Sequence, residues 1–292
     1  MMSEKLPAPP ADALLLAWLT TVLVPMSRTK VKVLLQSGRV FVNGASVAQF
    51  DHRLQPTDTV SVGQRPLLRC TVPILFEDAH LIAVNKPVDM LSVATDEEKV
   101  DTAFARLQSH LIARKAGKPY VVHRLDRETS GVLLFARNPV IRDQLQATWE
   151  TTKKTYLALV VGTPNPREGT IDVHLKEGRD FRVRKTHPDE DGAKRAISQY
   201  RVLAQQGRYS LLEVILVTGR KHQIRVHLAD IACPVIGDTM YGKVGSSIGR
   251  LALHAWKLSI VHPVTNEKCE WEAPYPVAMS RAVKFSTTLD RN

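Results

Sequence analysis

Apolar and polar positions follow two different patterns along the chain. Residues 12 to 24 are apolar at helical spacing. "SRTKVKVLLQSG" then repeats that spacing with Val31, Leu34 and Leu35 on one side and Arg28, Lys30 and Lys32 largely elsewhere. Ser27 is placed to cap this second helix and Gly38 to end it. "RVFVNGASVAQ" reads as a hairpin, because Asn43-Gly44 supplies the left-handed residues of a two-residue turn. Beyond residue 73 short apolar runs dominate: "ILFEDAHLIAVNKP", "YVVHRLD", "GVLLFAR", "TYLALVVG", "AISQYRVLA", "YSLLEVILV" and "LSIVHP" predict strands. Helices are predicted at about 101–115, 139–149 and 221–233, the middle one opened by Asn138-Pro139 with Ile141 and Leu145 on its buried face. The expected order is a flexible tail over 1–11, a small helix-and-hairpin domain over 12–64, a linker over 65–72, and a second domain over 73–286. That second domain is predicted to be α+β, a mixed and largely antiparallel sheet with helices.

Composition adds a partner to this outline. A net charge of +11 and a pI near 9.7 favour a polyanion, since a field of that sign concentrates phosphates. Anionic membrane is the rival, but the chain shows no clear basic amphipathic helix or lipidation signal. The run "ALLLAWLTTVLVPM" is shorter than the roughly 20 apolar residues a bilayer needs and has acidic Glu4 and Asp12 near it. Cys70, Cys233 and Cys269 are odd in number, far apart and without CxxC spacing, so neither a disulfide framework nor a zinc site is expected and a reducing cytoplasm fits. His222 and His227 lack the HExxH pattern and a nearby acidic ligand, so no metal is expected there either.

Four stretches could carry chemistry. In "VVHRLDRETSG" a charged turn sits between two strands, and burying His123, Arg124, Asp126, Arg127 and Glu128 near a core is costly unless they pair or act. Asp126 could be a nucleophile or base; the plainer alternative is a carboxylate bonded to its own turn. In "TGRKHQIRVHLADIAC", Ile224, Leu228 and Ile231 form a stripe, and Arg225 beside it could hold a carboxylate or make an ordinary salt bridge. "KKTYLALVVG" puts Tyr156 at the mouth of an apolar strand, able to stack on a base or simply half-buried. "LIAVNKPVDMLSV" breaks a buried run at Lys86-Pro87, which is equally a strand ending in a turn.

Together, "HRLDRETSG", "KTY", "GRKHQIRVH", "GDTMYG" and "LALHAWKLSIVHPVT" resemble the RluA-type pseudouridine synthases, over about residues 73 to 275. Asp89 departs from the pattern where the family usually has Gly. The N-terminal region resembles an S4 RNA-binding domain, a small α/β unit, though Thr57 stands where that family places Gly and the usual opening Arg is missing. The resemblance implies RNA uridine isomerisation without a cofactor, by a catalytic set of Asp126, an Arg225 paired with it, and Tyr156. It implies that Arg124 enters the RNA stack. His123, Arg127, Lys86, Lys154, Arg220 and His222, with Arg28, Lys30, Lys32 and Arg39 of the N-terminal region, are the expected RNA contacts. The expected partner is structured RNA, ribosomal ahead of transfer RNA, met by a monomer in the cytoplasm. A non-catalytic S4-type binding or ribosome-assembly factor would share the basic face but would not need Asp126, Tyr156 and Arg225 together. A nucleoside or glycoside hydrolase would want a second, opposed carboxylate.

Overall fold

The computed structural model describes residues 4–63, 70–94, 101–242, 245 and 247–285, so most of the expected linker lies outside the described residues. The chain divides into two compact units, Met1–Cys70 with Val93–Lys115, and Thr71–Ser92 with Ala116–Asn292. Val93–Lys115, expected in the second domain, fall in the first unit.

In the first unit the local signals place the elements. Short strands β1 (Glu4–Lys5) and β2 (Ala13–Leu14) lead into α1 (Leu15–Val22) and α2 (Arg28–Gln36). The Ser27 side chain accepts from the Lys30 amide at 3.4 Å, and Gly38 follows the helix with φ +66°. Strands β3 (Val40–Val42) and β4 (Ala45–Ser46) form the hairpin, with Asn43 and Gly44 both at positive φ, and β5 (Arg53–Leu54) and β6 (Val60–Val62) complete two small sheets. Leu15, Leu19, Val31, Leu35 and Leu54 are fully buried together. Residues 4–6 are not the free tail expected: β1 pairs with β6, and Leu6 is buried in the same core. Backbone pairing satisfied by a neighbouring strand needs no periodicity of its own, so nothing in the sequence announced it. The helix α3 (Ala103–Ala113), capped by Thr102 accepting from the Ala105 amide at 3.1 Å, belongs to this unit.

The second unit is built on β7 (Ile74–Glu77), β8 (Leu81–Lys86), β9 (Tyr120–Val121), β10 (Ser130–Ala136), α4 (Pro139–Ala147), β11 (Lys153–Val161), β12 (Glu168–Glu177), β13 (Val183–Thr186), β14 (Lys194–Gln206), β15 (Tyr209–Leu216), α5 (Gln223–Asp230), β16 (Leu253–Val261), β17 (Lys268–Glu272) and α6 (Val277–Ser280). Among the described residues these strands form one eleven-stranded sheet, running β13-β12-β14-β15-β11-β16-β10-β8-β7, with β17 on β16 and β9 on β10. β10 runs parallel to β16 and every other pairing is antiparallel, so the unit has the mixed, mostly antiparallel α+β architecture expected.

All seven residues of β10 are buried, as a continuous apolar run requires. Its parallel contact with β16 depends on Gly131, at φ +118°: a Cβ there would lie 2.1 Å from the Ala255 carbonyl oxygen. On α5, Gln223 to Leu228 are all buried, so Arg225 lies within a run buried on every side and not beside a single apolar stripe; only the last two residues, Ala229 and Asp230, approach solvent.

Candidate functional site

The loop between β9 and β10 is pinned at alternate residues. The Leu134 amide donates to His123 Nε2 at 3.0 Å, and the His123 ring stacks on Trp149 with centroids 4.5 Å apart. Ser92 Oγ donates to the Leu125 carbonyl at 2.8 Å and accepts from the Leu125 amide at 2.9 Å. Lys86 Nζ donates to the carbonyls of Arg127 (3.1 Å), Met90 (2.6 Å) and Pro87 (3.0 Å). Asp89, in the turn spanned by that ammonium, adopts φ +59°, the conformation that a glycine would take most readily. Between these anchors Arg124 and Arg127 turn their side chains to solvent, and Asp126 is about a third exposed.

Several side chains converge on Asp126. His222 Nε2 lies 4.0 Å from its Oδ2. The same negative charge pulls upward on the pKa of Lys86, Tyr156, His222, Arg225 and Tyr241, which come from β8, β11, the start of α5, α5 itself and the loop after it, although burial leaves Lys86 and His222 lowered overall. Among the described residues the Asp126 carboxylate accepts no hydrogen bond, whereas Glu128 and Asp238 both accept from one guanidinium. Burial first, and then the Asp126 charge, push the Tyr156 phenol well above its ordinary value, so it remains a protonated donor at neutral pH.

Arg225 does not pair with Asp126 as expected. Its Nε and one terminal nitrogen grip Asp238 at 2.8 and 3.0 Å, and the other terminal nitrogen reaches Glu128 Oε2 at 3.0 Å. Asp238 also accepts the amides of Met240 and Tyr241 at 3.0 Å each, which with Arg225 hold its carboxyl below the usual range against the opposing effect of burial. The reason is stereochemical: a planar guanidinium meets a carboxylate best as a bidentate fork, and Asp238, at 1% exposure, is the carboxylate buried with it. Gly237, just before Asp238 and at φ +79°, lets the chain pass close to Arg250, whose carbonyl oxygen would lie 2.2 Å from a Cβ there.

Three expected RNA contacts are turned inward. Lys86 is fully buried and holds backbone carbonyls; burial draws its pKa down to about 7 against the pull of Asp126. His123 uses its ring for Trp149 and a backbone amide, and desolvation lowers it to about 3, so it offers no cation to a phosphate. Lys154 is buried, donates to the Trp149 carbonyl at 3.1 Å, and is likewise lowered by burial. A lysine or histidine at the end of an apolar strand has the same sequence appearance whether it faces water or the core. Arg220 is exposed, with Nε on the Arg195 carbonyl at 3.1 Å. His222 is nearly buried and its Nδ1 lies 2.7 Å from Tyr241 Oη. In the first unit Arg28, Lys30, Lys32 and Arg39 are all exposed.

The sequence reading missed Ser92, Arg250 and the roles of Asp238 and Tyr241. Arg250 donates to Ser130 Oγ at 2.7 Å, and that hydroxyl is 2.8 Å from His254 Nδ1. The signal for Asp238 and Tyr241 was present in "GDTMYG", but the spacing alone does not say which cation the aspartate meets. Among the described residues no cluster of three His, Cys, Asp or Glu side chains is placed to hold a metal ion, and no helix is long and apolar enough to cross a membrane.

Comparison with known proteins places the chain in a family. Residues 80–230 match the family model described as RNA pseudouridylate synthase. The chain is 34% identical to the uncharacterized RNA pseudouridine synthase YlyB of Bacillus subtilis, covering 88% of this chain and 89% of that one. It is 29% identical to ribosomal large subunit pseudouridine synthase D of Zymomonas mobilis, over 94% of each. Among solved structures, human RNA pseudouridylate synthase domain containing 4 superposes with a TM-score of 0.61 at 26% identity, covering 74% of this chain and 94% of that chain. A purely RNA-binding factor, the alternative left open by charge, is not what these relatives are. The chain belongs to the RNA pseudouridine synthase family, among its RluA-like members, and is an isomerase of RNA uridines.

Proposed function

We propose that Asp126 is the reacting carboxylate and that the substrate uridine is flipped out of a structured ribosomal RNA. The observation that carries this reading is the contrast among the three carboxylates nearby: Asp238 and Glu128 are bonded to Arg225, and Asp126 alone among them accepts no hydrogen bond from a described residue. Isomerisation breaks the N1–C1′ bond and forms C5–C1′, with the C5 hydrogen leaving as a proton and N1 taking one up; no electrons or groups are exchanged with a second reactant, so the reaction needs no cofactor. Asp126 attacks either C1′ or C6. Tyr156, held protonated, stacks on the detached uracil and offers its hydroxyl. Arg225 acts on Asp126 through the loop: it ties Glu128, two residues on, to the buried Asp238. Extrusion of the base costs a few kcal/mol, and exposed Arg124 is placed to fill the vacated stack.

For the substrate, the likeness to a ribosomal large subunit synthase over nearly the whole of both chains supports ribosomal RNA. A transfer RNA synthase, tRNA pseudouridine synthase C of Pectobacterium carotovorum, is 37% identical but aligns over 72% of this chain and 62% of its own length. The first unit, with capped α2, its hairpin and the exposed Arg28, Lys30, Lys32 and Arg39, serves as an S4-like RNA-gripping module. The setting is the cytoplasm, and the active form a monomer. The deciding experiment is Asp126→Asn, assayed by release of tritium from RNA transcribed with uridine tritiated at C5. Loss of release with folding and RNA affinity retained is the expected result, and measurable turnover by the pure variant defeats the assignment.

A further inference from the structure

His222 was expected to touch RNA, but its surroundings suit a different task. It stands at the N-terminus of α5 with φ 53° and ψ 16°, a left-handed conformation that residues with a Cβ seldom adopt. Its side chain does not cap the helix. The ring is only 12% exposed and lies edge-on to Tyr241. Backbone strain at a residue whose side chain does no capping points to a ring held in place for another partner.

The hydrogen-bond pattern assigns the ring's proton. Tyr241 Oη accepts from the Val183 amide at 3.0 Å and has one proton to give; His222 Nδ1, at 2.7 Å, is the acceptor in reach. With Nδ1 accepting, the neutral ring carries its hydrogen on Nε2, the atom that lies 4.0 Å from Asp126 Oδ2. Burial favours this neutral form, reinforced by the charges of Arg225 and Lys221 and opposed by those of Asp126 and Asp238.

We propose that His222 is a positioning residue for the reaction, its Nε2–H directed by Tyr241 onto one oxygen of Asp126 so that the other faces the uridine. The present separation is longer than a hydrogen bond and closes when substrate fills the site, as contacts in unliganded sites commonly do. The inference rests on Asp126 being the reacting carboxylate, and Asp126→Asn tests that premise separately in the same assay.

The experiment uses the full chain with His222→Asn, His222→Gln and Tyr241→Phe. Tritium release at saturating RNA is measured on unmodified ribosomal and transfer RNA transcripts, with RNA affinity and thermal midpoint for each variant. A glutamine amide nitrogen reaches the place of Nε2, whereas an asparagine amide stops at that of Nδ1. His222→Asn is expected to lower saturating turnover about 10–100-fold, and Tyr241→Phe about tenfold, with affinity unchanged within about twofold. His222→Gln is expected to recover turnover to within about fivefold of wild type. A glutamine variant no more active than the asparagine one overturns the proposal, because a merely structural ring would not be rescued by one donor. Wild-type turnover in all three with weakened RNA binding overturns it as well, and returns His222 to the RNA surface.

Discussion

Four cations of the first unit and three at the site of the second are used in opposite ways. On the first, Arg28, Lys30, Lys32 and Arg39 extend from a capped helix and the turn after it into solvent, where a cation costs little and can meet any phosphate. In the second, Lys86, Lys154 and Arg225 are buried, and each holds backbone carbonyls or a carboxylate. An outward row of charge recruits a polyanion without fixing its pose. An inward cation fixes the protein's own backbone, and through it the loop that carries Asp126. The abundance of Lys and Arg in this sequence therefore measures two quantities, affinity for RNA and rigidity of the site.

Replacing the cations separates the two. The largest effect is expected for Arg225→Met, which leaves Asp238 buried and charged without its partner: about 3–5 kcal/mol of stability should be lost, read by urea denaturation, together with turnover. A variant that folds as well as wild type and only binds RNA more weakly would move Arg225 to the outward class. Acid should reveal the inward imidazoles. His123 and His254, both near pKa 3 when folded, must take up protons on unfolding, so the unfolded chain binds more protons between about pH 3 and 6.5. Their contribution to stability is present above 6.5 and falls with pH by up to about 1.4 kcal/mol per pH unit for each. Histidine proton resonances titrating near 6.5 for these two rings in the folded protein would contradict their placement.

Lys86→Met comes next. It strands three carbonyls, at about 1–3 kcal/mol, and frees the Arg127 carbonyl, so turnover should fall while the salt dependence of RNA binding stays unchanged. The wild-type chain should also gain stability as pH rises from about 7 towards the unfolded lysine's 10.5, because the unfolded chain there holds a proton that the folded one has released; the methionine variant should lack that rise. The smallest effect on the fold is expected from Arg28, Lys30 and Lys32 changed together to Gln. Stability should stay within about 0.5 kcal/mol, while the slope of log affinity against log salt flattens by about 0.7–0.9 for each phosphate contact removed. An unchanged slope would remove α2 from the RNA-binding surface.

Much of the fold was legible because its signals are local. Ser27, Gly38, Asn43-Gly44 and Asn138-Pro139 each define a cap or turn within four residues, and the run from Val132 to Ala136 is apolar at every position, as a strand buried on both faces must be. The site was legible as a set of residue types and less so as a set of contacts. Asp238 lies 13 residues from Arg225 across a loop, and nothing in their spacing ranks it above Asp126 as a partner. Lys86 and His123 differ from surface cations only in where the sheet puts them, which depends on β10 pairing with β8 and on Trp149 arriving from beyond α4. The strand at Glu4–Lys5 is two residues long and takes its place from β6, so it had no pattern to read.

The alternate pinning of the loop divides what evolution or an engineer can alter there. His123 is held by its ring, Leu125 by both backbone groups, and Arg127 by its carbonyl alone. The Arg124 and Arg127 side chains are tied to none of these anchors, so new side chains at the two positions can present a different face to RNA without disturbing the support beneath Asp126. Target preference can drift on a fixed chassis, and one loop can serve many uridines in turn while its chemistry is inherited unchanged.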